Sequence, residues 1–213
     1  MNMIQSLEND IFYWINQHHN NFFDWFFWTF SQHWCWAVML LIFFAFTTLR
    51  YEPKRWWLVL VGIALCFLCA DRVSDILKDA FARPRPCHML EDVRMFRTHC
   101  GGPYGFPSSH AANVFALATF LCLRCHQSAI RFQRSTLSAR PKYSIHPSLF
   151  TVFVFLWAIV VGYSRIYLGK HFLGDILGGL LLGMVCGLAI FFIIHLIDNF
   201  AISRASQKKV AKK

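Results

Sequence analysis

The sequence predicts an all-α integral membrane protein, a helical bundle of about five transmembrane helices preceded by interfacial amphipathic helices. Of its 213 residues, 56% are hydrophobic and 15% are charged, which is too apolar for an ordinary soluble domain. The 23 Phe and 8 Trp residues also indicate contact with lipid. Several apolar runs approach the roughly 20 residues that a membrane span needs.

The N-terminal segment, residues 4–31, mixes aromatic side chains with many polar ones. Burying so many polar groups in hydrocarbon would be costly. The apolar residues of its first half recur at helical spacing, which predicts one or two amphipathic helices lying in the membrane surface. The alternative is a first true span at about residues 11–31.

Five apolar runs follow as the predicted spans. The second continues into a polar helical extension, and the last carries Gly179, Gly183 and Gly187 four residues apart. This stripe of glycines predicts the close approach of a neighbouring helix. The predicted spans are residues 34–49, 56–70 with its extension, 108–123, 148–163 and 172–197.

The distribution of Lys and Arg predicts the orientation. The segments 50–55, 124–142 and 204–213 hold 13 of the 21 basic residues, and the first 33 residues hold none. Five spans would place these three basic segments on one side, which should be cytoplasmic. Basic residues that remain on the outer side need another reason, and binding an anion is a suitable one. They are Arg72, Lys78, Arg83, Arg85, Arg94, Arg97, Arg165 and Lys170.

We expect a single membrane-embedded domain over residues 1–213. Residues 1–32 would form the interfacial helices, 33–200 the transmembrane catalytic bundle, and 201–213 a disordered basic cytoplasmic tail. The net charge of +10 is read as an orientation signal, so no nucleic-acid partner is expected. No cleavable signal peptide is expected either, because no basic residue precedes the first apolar segment.

Three clusters of reactive side chains fall on the outer side of this topology. One follows the second span, one begins the third span, and one joins the fourth span to the fifth. Together they supply fixed cations, hydroxyl groups at a helix N-terminus, two histidines and a carboxylate. The clusters are Lys78 with Arg85, then Ser108, Ser109 and His110, then Arg165, His171 and Asp175.

This set of side chains fits phosphoryl transfer through a histidine. On a helix, His171 and Asp175 would share one face, so Asp175 would orient the ring and leave its other nitrogen as the nucleophile. The cations and a helix N-terminus would hold the phosphoryl oxygens. His110 would protonate the leaving oxygen and then activate water. No metal or other cofactor is expected.

The three clusters resemble the signature of the type 2 phosphatidic acid phosphatase superfamily, which also includes bacterial acid phosphatases and vanadium haloperoxidases. The family pattern is Lys-x6-Arg-Pro, then Pro-Ser-Gly-His, then Ser-Arg-x5-His-x3-Asp. Ser109 stands where the family usually has Gly, and its N–H should preserve the anion site. The resemblance implies that Lys78, Arg85, Ser108 and Arg165 bind phosphate, and that His110, His171 and Asp175 are catalytic.

The eight cysteines leave several readings open. Two Cys-x2-Cys pairs, at residues 66/69 and 122/125, imitate a zinc ribbon but lie in apolar helices. On the outer side, Cys87 and Cys100 are candidates for a disulfide, with a zinc site or free thiols as alternatives. Arg83, Arg94 and Arg97 in the same region are read either as head-group contacts or as solvated charges.

The expected activity is hydrolysis of a lipid phosphate at the outer face of a bacterial inner membrane. The candidate substrates are a polyprenyl (undecaprenyl) diphosphate, phosphatidylglycerol phosphate or phosphatidic acid, and the phosphate of lipid A, with the polyprenyl carrier favoured. Membrane lipids are the expected partners, and the oligomeric state is left open. A lipid phosphotransferase is the alternative, whereas a haloperoxidase is disfavoured because those enzymes are soluble.

Overall fold

A computed structural model describes residues 3–51, 55–135 and 147–210 of the chain. These residues form helices joined by short connections, and no strand occurs among them beyond an isolated bridge between Pro84 and Tyr104. The all-α class predicted from the sequence is therefore confirmed. The helices are α1 Met3–Gln17, α2 Asn21–Phe30, α3 His33–Tyr51, α4 Trp56–Phe81, α5 Pro86–Met89, α6 Ser109–Ser135, α7 Pro147–Tyr167 and α8 Leu173–Val210.

Within the described residues, three helices are long and apolar enough to cross a membrane: α4, α7 and the Leu173–Arg204 part of α8. Helix α2 and the His33–Thr48 part of α3 form a fourth candidate, a broken span with a bend of 63°. Helix α6, the remaining predicted span, has 27 residues but is less apolar. Its first half is almost entirely buried among the other helices, so it does not need a lipid-facing surface.

Helix α8 packs closely against α6 along its stripe of glycines. A Cβ atom on Gly183 would lie 2.4 Å from the carbonyl oxygen of Ala112, and one on Gly187 would lie 2.4 Å from that of Ala116. Gly179 meets the α6 backbone in the same way. The predicted role of this stripe in helix packing is therefore confirmed.

The N-terminal segment contains two short helices rather than one long helix. The helical structure is interrupted at residues 18–20. The Asn20 side chain then caps α2 by accepting a hydrogen bond of 2.9 Å from the N–H of Phe23. A continuous helix over residues 11–31 is therefore not formed. The interfacial position predicted for residues 1–32 stays a prediction, and α2 together with α3 is also a candidate for a broken span or a re-entrant loop.

Two predicted boundaries were wrong because helices continue beyond the apolar runs. Helix α8 extends to Val210, so most of the tail predicted to be disordered is helical. No Gly or Pro occurs between residues 188 and 210 to end the helix. Helix α6 likewise extends into the predicted basic loop as far as Ser135. Residues 136–146 and 211–213 lie outside the described part of the chain.

The end of the bundle opposite to the predicted active site is held by ion pairs. Asp198 of α8 is buried and lies 2.9 Å from Nη1 of Arg55 and 3.3 Å from Nη1 of Arg124. Arg131 of α6 also pairs with this carboxylate. These three arginines belong to segments that the sequence assigned to the cytoplasmic side, so their clustering agrees with the predicted topology.

Candidate active site

The three predicted clusters meet at one cavity of about 270 Å³, which we call the phosphate cavity. Helix α4 brings its C-terminal turn to it, α6 brings its N-terminus, and the connection between α7 and α8 closes it. The walls are strongly basic and contain both predicted histidines. The lining residues are Lys78, Arg85, Cys100, Gly101, Ser109, His110, Arg165, Lys170 and His171.

His171 is buried in the wall with one nitrogen near each of two partners. Its Nδ1 atom lies 3.4 Å from Oδ2 of Asp175, and its Nε2 atom lies 3.0 Å from Nη1 of Arg85. Because a guanidinium can only donate, Nε2 accepts and the proton of a neutral ring is on Nδ1. Burial, together with the positive charges of Arg85 and Arg165, lowers the pKa of His171 well below 6.5. The ring is therefore neutral at neutral pH.

Asp175 lies behind His171, in the first turn of α8, and does not reach the phosphate cavity. It is 0% exposed, and its Oδ2 atom accepts a hydrogen bond of 3.0 Å from the N–H of Phe172. That bond closes the turn between α7 and α8 around the histidine. Gly169 in the same turn has φ +77°, and a Cβ there would lie 2.8 Å from the carbonyl oxygen of Arg94.

Two arginines contribute charge to the phosphate cavity. Arg85 is fixed by a hydrogen bond of 2.8 Å from its Nε to the carbonyl oxygen of Gly102, and burial lowers its pKa. Arg165 is only 4% exposed, and its Nε has no hydrogen-bond partner. Because a buried donor without a partner is costly, this guanidinium is suited to an anion in the cavity.

Two lysines complete the cationic lining. Lys78 donates hydrogen bonds to Ser109 Oγ and, over 3.1 Å, to Asp75 Oδ1. Lys170 precedes the nucleophile candidate and was not among the phosphate-binding residues predicted from the sequence. Burial and the charges of Arg165 and Arg85 lower its pKa to about 8.

The start of α6 presents Ser109 and His110 to the phosphate cavity, as predicted. His110 also contacts α3, where the Trp36 ring centroid lies 5.0 Å from its own in an edge-on arrangement. Ser108 differs from its neighbours because it is buried and does not line the cavity. Its N–H donates over 3.0 Å to the carbonyl oxygen of Asp175, so it ties α6 to α8, and its predicted role in phosphate binding stays untested.

An ion pair network behind Asp175 was missed from the sequence. Nη1 of Arg83 lies 3.0 Å from Oδ1 of Asp175, and its Nη2 contacts Glu8 of α1. Glu8 also accepts a hydrogen bond of 2.9 Å from the N–H of Gly174. The N-terminal helix is thus connected to the orienting carboxylate. No local pattern pairs Glu8 with Arg83, which lies 75 residues later.

The connection between α4 and α6, which we call the outer loop, contacts the N-terminal helices through Asn16 and Asp24. Both residues belong to the segment that the sequence analysis placed at the membrane surface. Asn16 is buried and exchanges hydrogen bonds of 2.9 Å with the backbone of Arg94. Asp24 is also buried, and Arg94 donates to both of its oxygens over 2.8 and 2.6 Å. Hydrogen bonding to Asp24 raises the pKa of Arg94.

The three arginines with an open role therefore all have partners within the protein. Arg83 pairs with Asp175 and Glu8, and Arg94 pairs with Asp24. The guanidinium of Arg97 lies over two aromatic rings, 4.8 Å from that of Trp25 and 5.5 Å from that of Trp28. These contacts assign the three residues to the structure of the outer loop.

Cys87 and Cys100 are bonded as a disulfide, which is one of the alternatives left open by the sequence. It joins α5 to the cavity wall at Cys100. His88 lies close enough to these two cysteines that the three side chains could together hold a metal ion. Because the two sulfurs are bonded to each other, neither is a thiolate, and the disulfide takes the place of the zinc alternative. Cys35, Cys66, Cys69, Cys122 and Cys186 are present as thiols.

The chain is similar in sequence to known proteins. The family model described as the PAP2 superfamily matches residues 55–197. A lipid A 4'-phosphatase of Bacteroides thetaiotaomicron is 29% identical, with 90% of this chain and 79% of that protein covered. A protein of the same name from Porphyromonas gingivalis is also 29% identical, over 88% of this chain and 72% of that protein.

A solved structure shares the fold. A transmembrane PAP2-type phosphatidylglycerolphosphate phosphatase from Bacillus subtilis superposes with a TM-score of 0.65. The alignment covers 93% of this chain and 88% of the other, at 21% sequence identity. At that identity, the likeness supports the membrane-embedded helical fold alone.

Proposed function

Because the chain belongs to the PAP2 superfamily, we propose that it hydrolyses a membrane lipid phosphate through a phosphohistidine on His171. A single observation carries the proposal. The buried, neutral ring of His171 lies in the wall of a cavity that four cationic side chains line, with Asp175 on its other nitrogen. This is the arrangement that an anionic substrate and a nitrogen nucleophile require.

In the first half of the reaction, Nε2 of His171 attacks phosphorus while the bond from phosphorus to the lipid oxygen breaks. His110 donates its proton to that oxygen, so the lipid leaves as a neutral alcohol. Asp175 accepts the hydrogen bond from Nδ1 and stabilises the positive ring of the phosphohistidine. Lys78, Arg85, Arg165 and Lys170 hold the phosphoryl oxygens.

In the second half, the now neutral His110 takes a proton from water, and the water oxygen attacks phosphorus. The phosphorus–nitrogen bond breaks, inorganic phosphate leaves, and His171 returns to its neutral form with His110 protonated. The charge that develops on phosphorus meets fixed cations throughout. We therefore propose that the reaction needs no metal ion.

The proposed substrate is a lipid A phosphate. The two relatives of that name match most of this chain at 29% identity, which moves lipid A ahead of the polyprenyl diphosphate that the sequence alone favoured. The outer-face location expected from the distribution of Lys and Arg suits this substrate. We propose that the phosphate cavity faces the periplasm and that the bundle resides in the inner membrane.

The test measures phosphate release by the detergent-purified protein in EDTA, on a panel containing lipid A, polyprenyl diphosphate, phosphatidic acid and phosphatidylglycerol phosphate. We expect release from lipid A in EDTA and its loss in His171→Ala. Asp79→Asn, on the exposed end of α4, serves as a matched control and should retain activity. Equal release by His171→Ala would contradict the assignment of the nucleophile, and inactivation by EDTA would contradict metal-free chemistry.

A further inference from the structure

A second cavity, of about 370 Å³, shares Ser109 and His110 with the phosphate cavity. It lies between α3, α4 and the first turns of α6, and its volume is within the range of small-molecule sites. Because its wall includes the proposed general acid, it adjoins the position of the leaving oxygen. The lining residues are His33, Trp36, Ala37, Leu40, Phe67, Asp71, Ser109, His110 and Asn113.

The polar part of the second cavity is a paired amide and carboxylate. Asn113 donates from Nδ2 to Oδ1 of Asp71 over 2.6 Å, and this bond fixes the orientation of the amide. The residue is 7% exposed, and its Oδ1 atom is buried without a hydrogen-bond partner. An unpartnered buried acceptor is costly, so the site is suited to a ligand group that donates, such as a hydroxyl or an amide N–H.

Apart from His33, Ser109 and His110, the rest of the wall is apolar and partly aromatic. Trp36 and Phe67 contribute ring surfaces, and Leu40 and Ala37 lie beside them. Trp36 also contacts the ring of His110. A wall that joins aromatic surface to hydrogen-bond acceptors fits a ring with apolar faces and donor groups on its edge, which is the chemistry of a sugar.

The negative charge of Asp71 in the second cavity favours one class of leaving group over another. When a diphosphate is cleaved, the leaving group is itself a phosphate, and the carboxylate of Asp71 would repel it. When a sugar phosphate is cleaved, the leaving group is a neutral alcohol. Asp71 therefore disfavours the binding of a phosphate leaving group and accepts hydrogen bonds from a neutral sugar alcohol.

We propose that the second cavity binds the sugar ring that carries the phosphate, with its donor groups on Asn113 Oδ1 and the Asp71 carboxylate. The phosphate then occupies the phosphate cavity, and His110, which lines both cavities, protonates the oxygen between phosphate and sugar. This inference rests on the proposed function and specifies the leaving group that the same site accepts. Asp71 and Asn113 are specificity residues in this account.

The test compares kcat/KM on lipid A with kcat/KM on polyprenyl diphosphate for the parent and for Asp71→Asn, which keeps the shape and removes the charge. We expect the value for lipid A to fall about tenfold, because a hydrogen bond to a charged acceptor is weakened. The value for the diphosphate should rise, because repulsion is removed. Asp79→Asn is the matched control on α4 and should leave the ratio unchanged.

A second variant, Asn113→Ala, removes the free acceptor without changing the charge. It should lower kcat/KM on lipid A while changing the value on the diphosphate less. Equal factors on both substrates in both variants would indicate a purely structural role and overturn the inference. Failure of the proposed function would look different, because the parent protein would then release no phosphate from lipid A.

Discussion

At His171, burial and neighbouring positive charge act on the pKa in the same direction. Both disfavour the imidazolium form, so the ring is neutral before the substrate arrives, as the proposed nucleophilic role requires. The cations that lower this pKa, Arg85 and Arg165, are the same groups proposed to hold the phosphoryl oxygens. Binding a dianionic phosphate would offset their charge and let the ring accept positive charge as the phosphorus–nitrogen bond forms.

Lys170 gives a prediction for the pH dependence of substrate binding. Its pKa of about 8 means that it is charged below pH 8 and loses its charge as the pH rises through that value. We expect KM for the lipid phosphate to rise above pH 8, by an amount on the order of tenfold for the loss of a charged hydrogen bond. In Lys170→Arg the charge persists, so the rise should move to higher pH. An identical alkaline limb in the variant would contradict this assignment.

At the scale of single elements, helix α1 acts on the active site from a distance. Its residue Glu8 forms an ion pair with Arg83 and accepts a hydrogen bond from the N–H of Gly174. These contacts fix the guanidinium that pairs with Asp175. We therefore propose that the N-terminal helix helps to position His171, the proposed nucleophile, through Arg83 and Asp175.

Neutralising Glu8 tests the role of α1. In Glu8→Gln we expect kcat to fall on the order of tenfold, because Arg83 is held less firmly beside Asp175, which then orients His171 less well. KM should change little, since no cavity cation is removed. Asp10→Asn, exposed on the same helix, is the matched control. A change in KM with kcat preserved would contradict a positioning role.

The contact between α8 and α6 tolerates no side chain at its closest points. Gly183→Val would drive a branched side chain into the backbone of Ala112, so we expect loss of stability of about 1–3 kcal/mol or more from overpacking. The thermal unfolding midpoint in detergent measures it. Ala189→Val adds bulk at an exposed position of α8 and should leave the midpoint nearly unchanged. Equal midpoints for both variants would contradict close packing at Gly183.

Several of the features predicted correctly depend on residues that are close in sequence. His171 and Asp175 meet because they are four residues apart, and the glycine stripe needs only the period of one helix. Contacts between distant segments left no such pattern. The pairs of Arg94 with Asp24 and Arg83 with Glu8 join residues 70 and 75 positions apart. The polar residues of α2 therefore led to the prediction of a helix in the membrane surface, although Asp24 is buried.

At the scale of the whole molecule, the two ends of the bundle differ in their charge. One end exposes cations to the phosphate cavity, and the opposite end neutralises three arginines on the buried Asp198. The cations of the phosphate cavity are suited to an anionic ligand, whereas the three arginines are already paired with a carboxylate of the protein. This contrast assigns binding to one end and structural support to the other.

Removing the buried carboxylate tests this division. In Asp198→Asn, three arginines lose their counter-charge, so we expect a loss of about 3–5 kcal/mol of stability and a lower thermal inactivation midpoint. At temperatures where the variant is folded, kcat should match that of the parent. Arg204→Gln removes an exposed charge from the same helix and serves as the control. A large fall in kcat with an unchanged midpoint would contradict a structural role.

The most direct test of the central claim is to trap the phosphohistidine. His110→Ala would be incubated with 4-nitrophenyl phosphate, whose leaving group needs little protonation, and quenched under alkaline conditions that preserve phosphohistidine. Because this variant lacks the base that activates water, we expect mass spectrometry to find a phosphoryl group on His171, and none in the double variant His110→Ala/His171→Ala. Release of 4-nitrophenol without any phosphorylated His171 would contradict covalent catalysis by this residue.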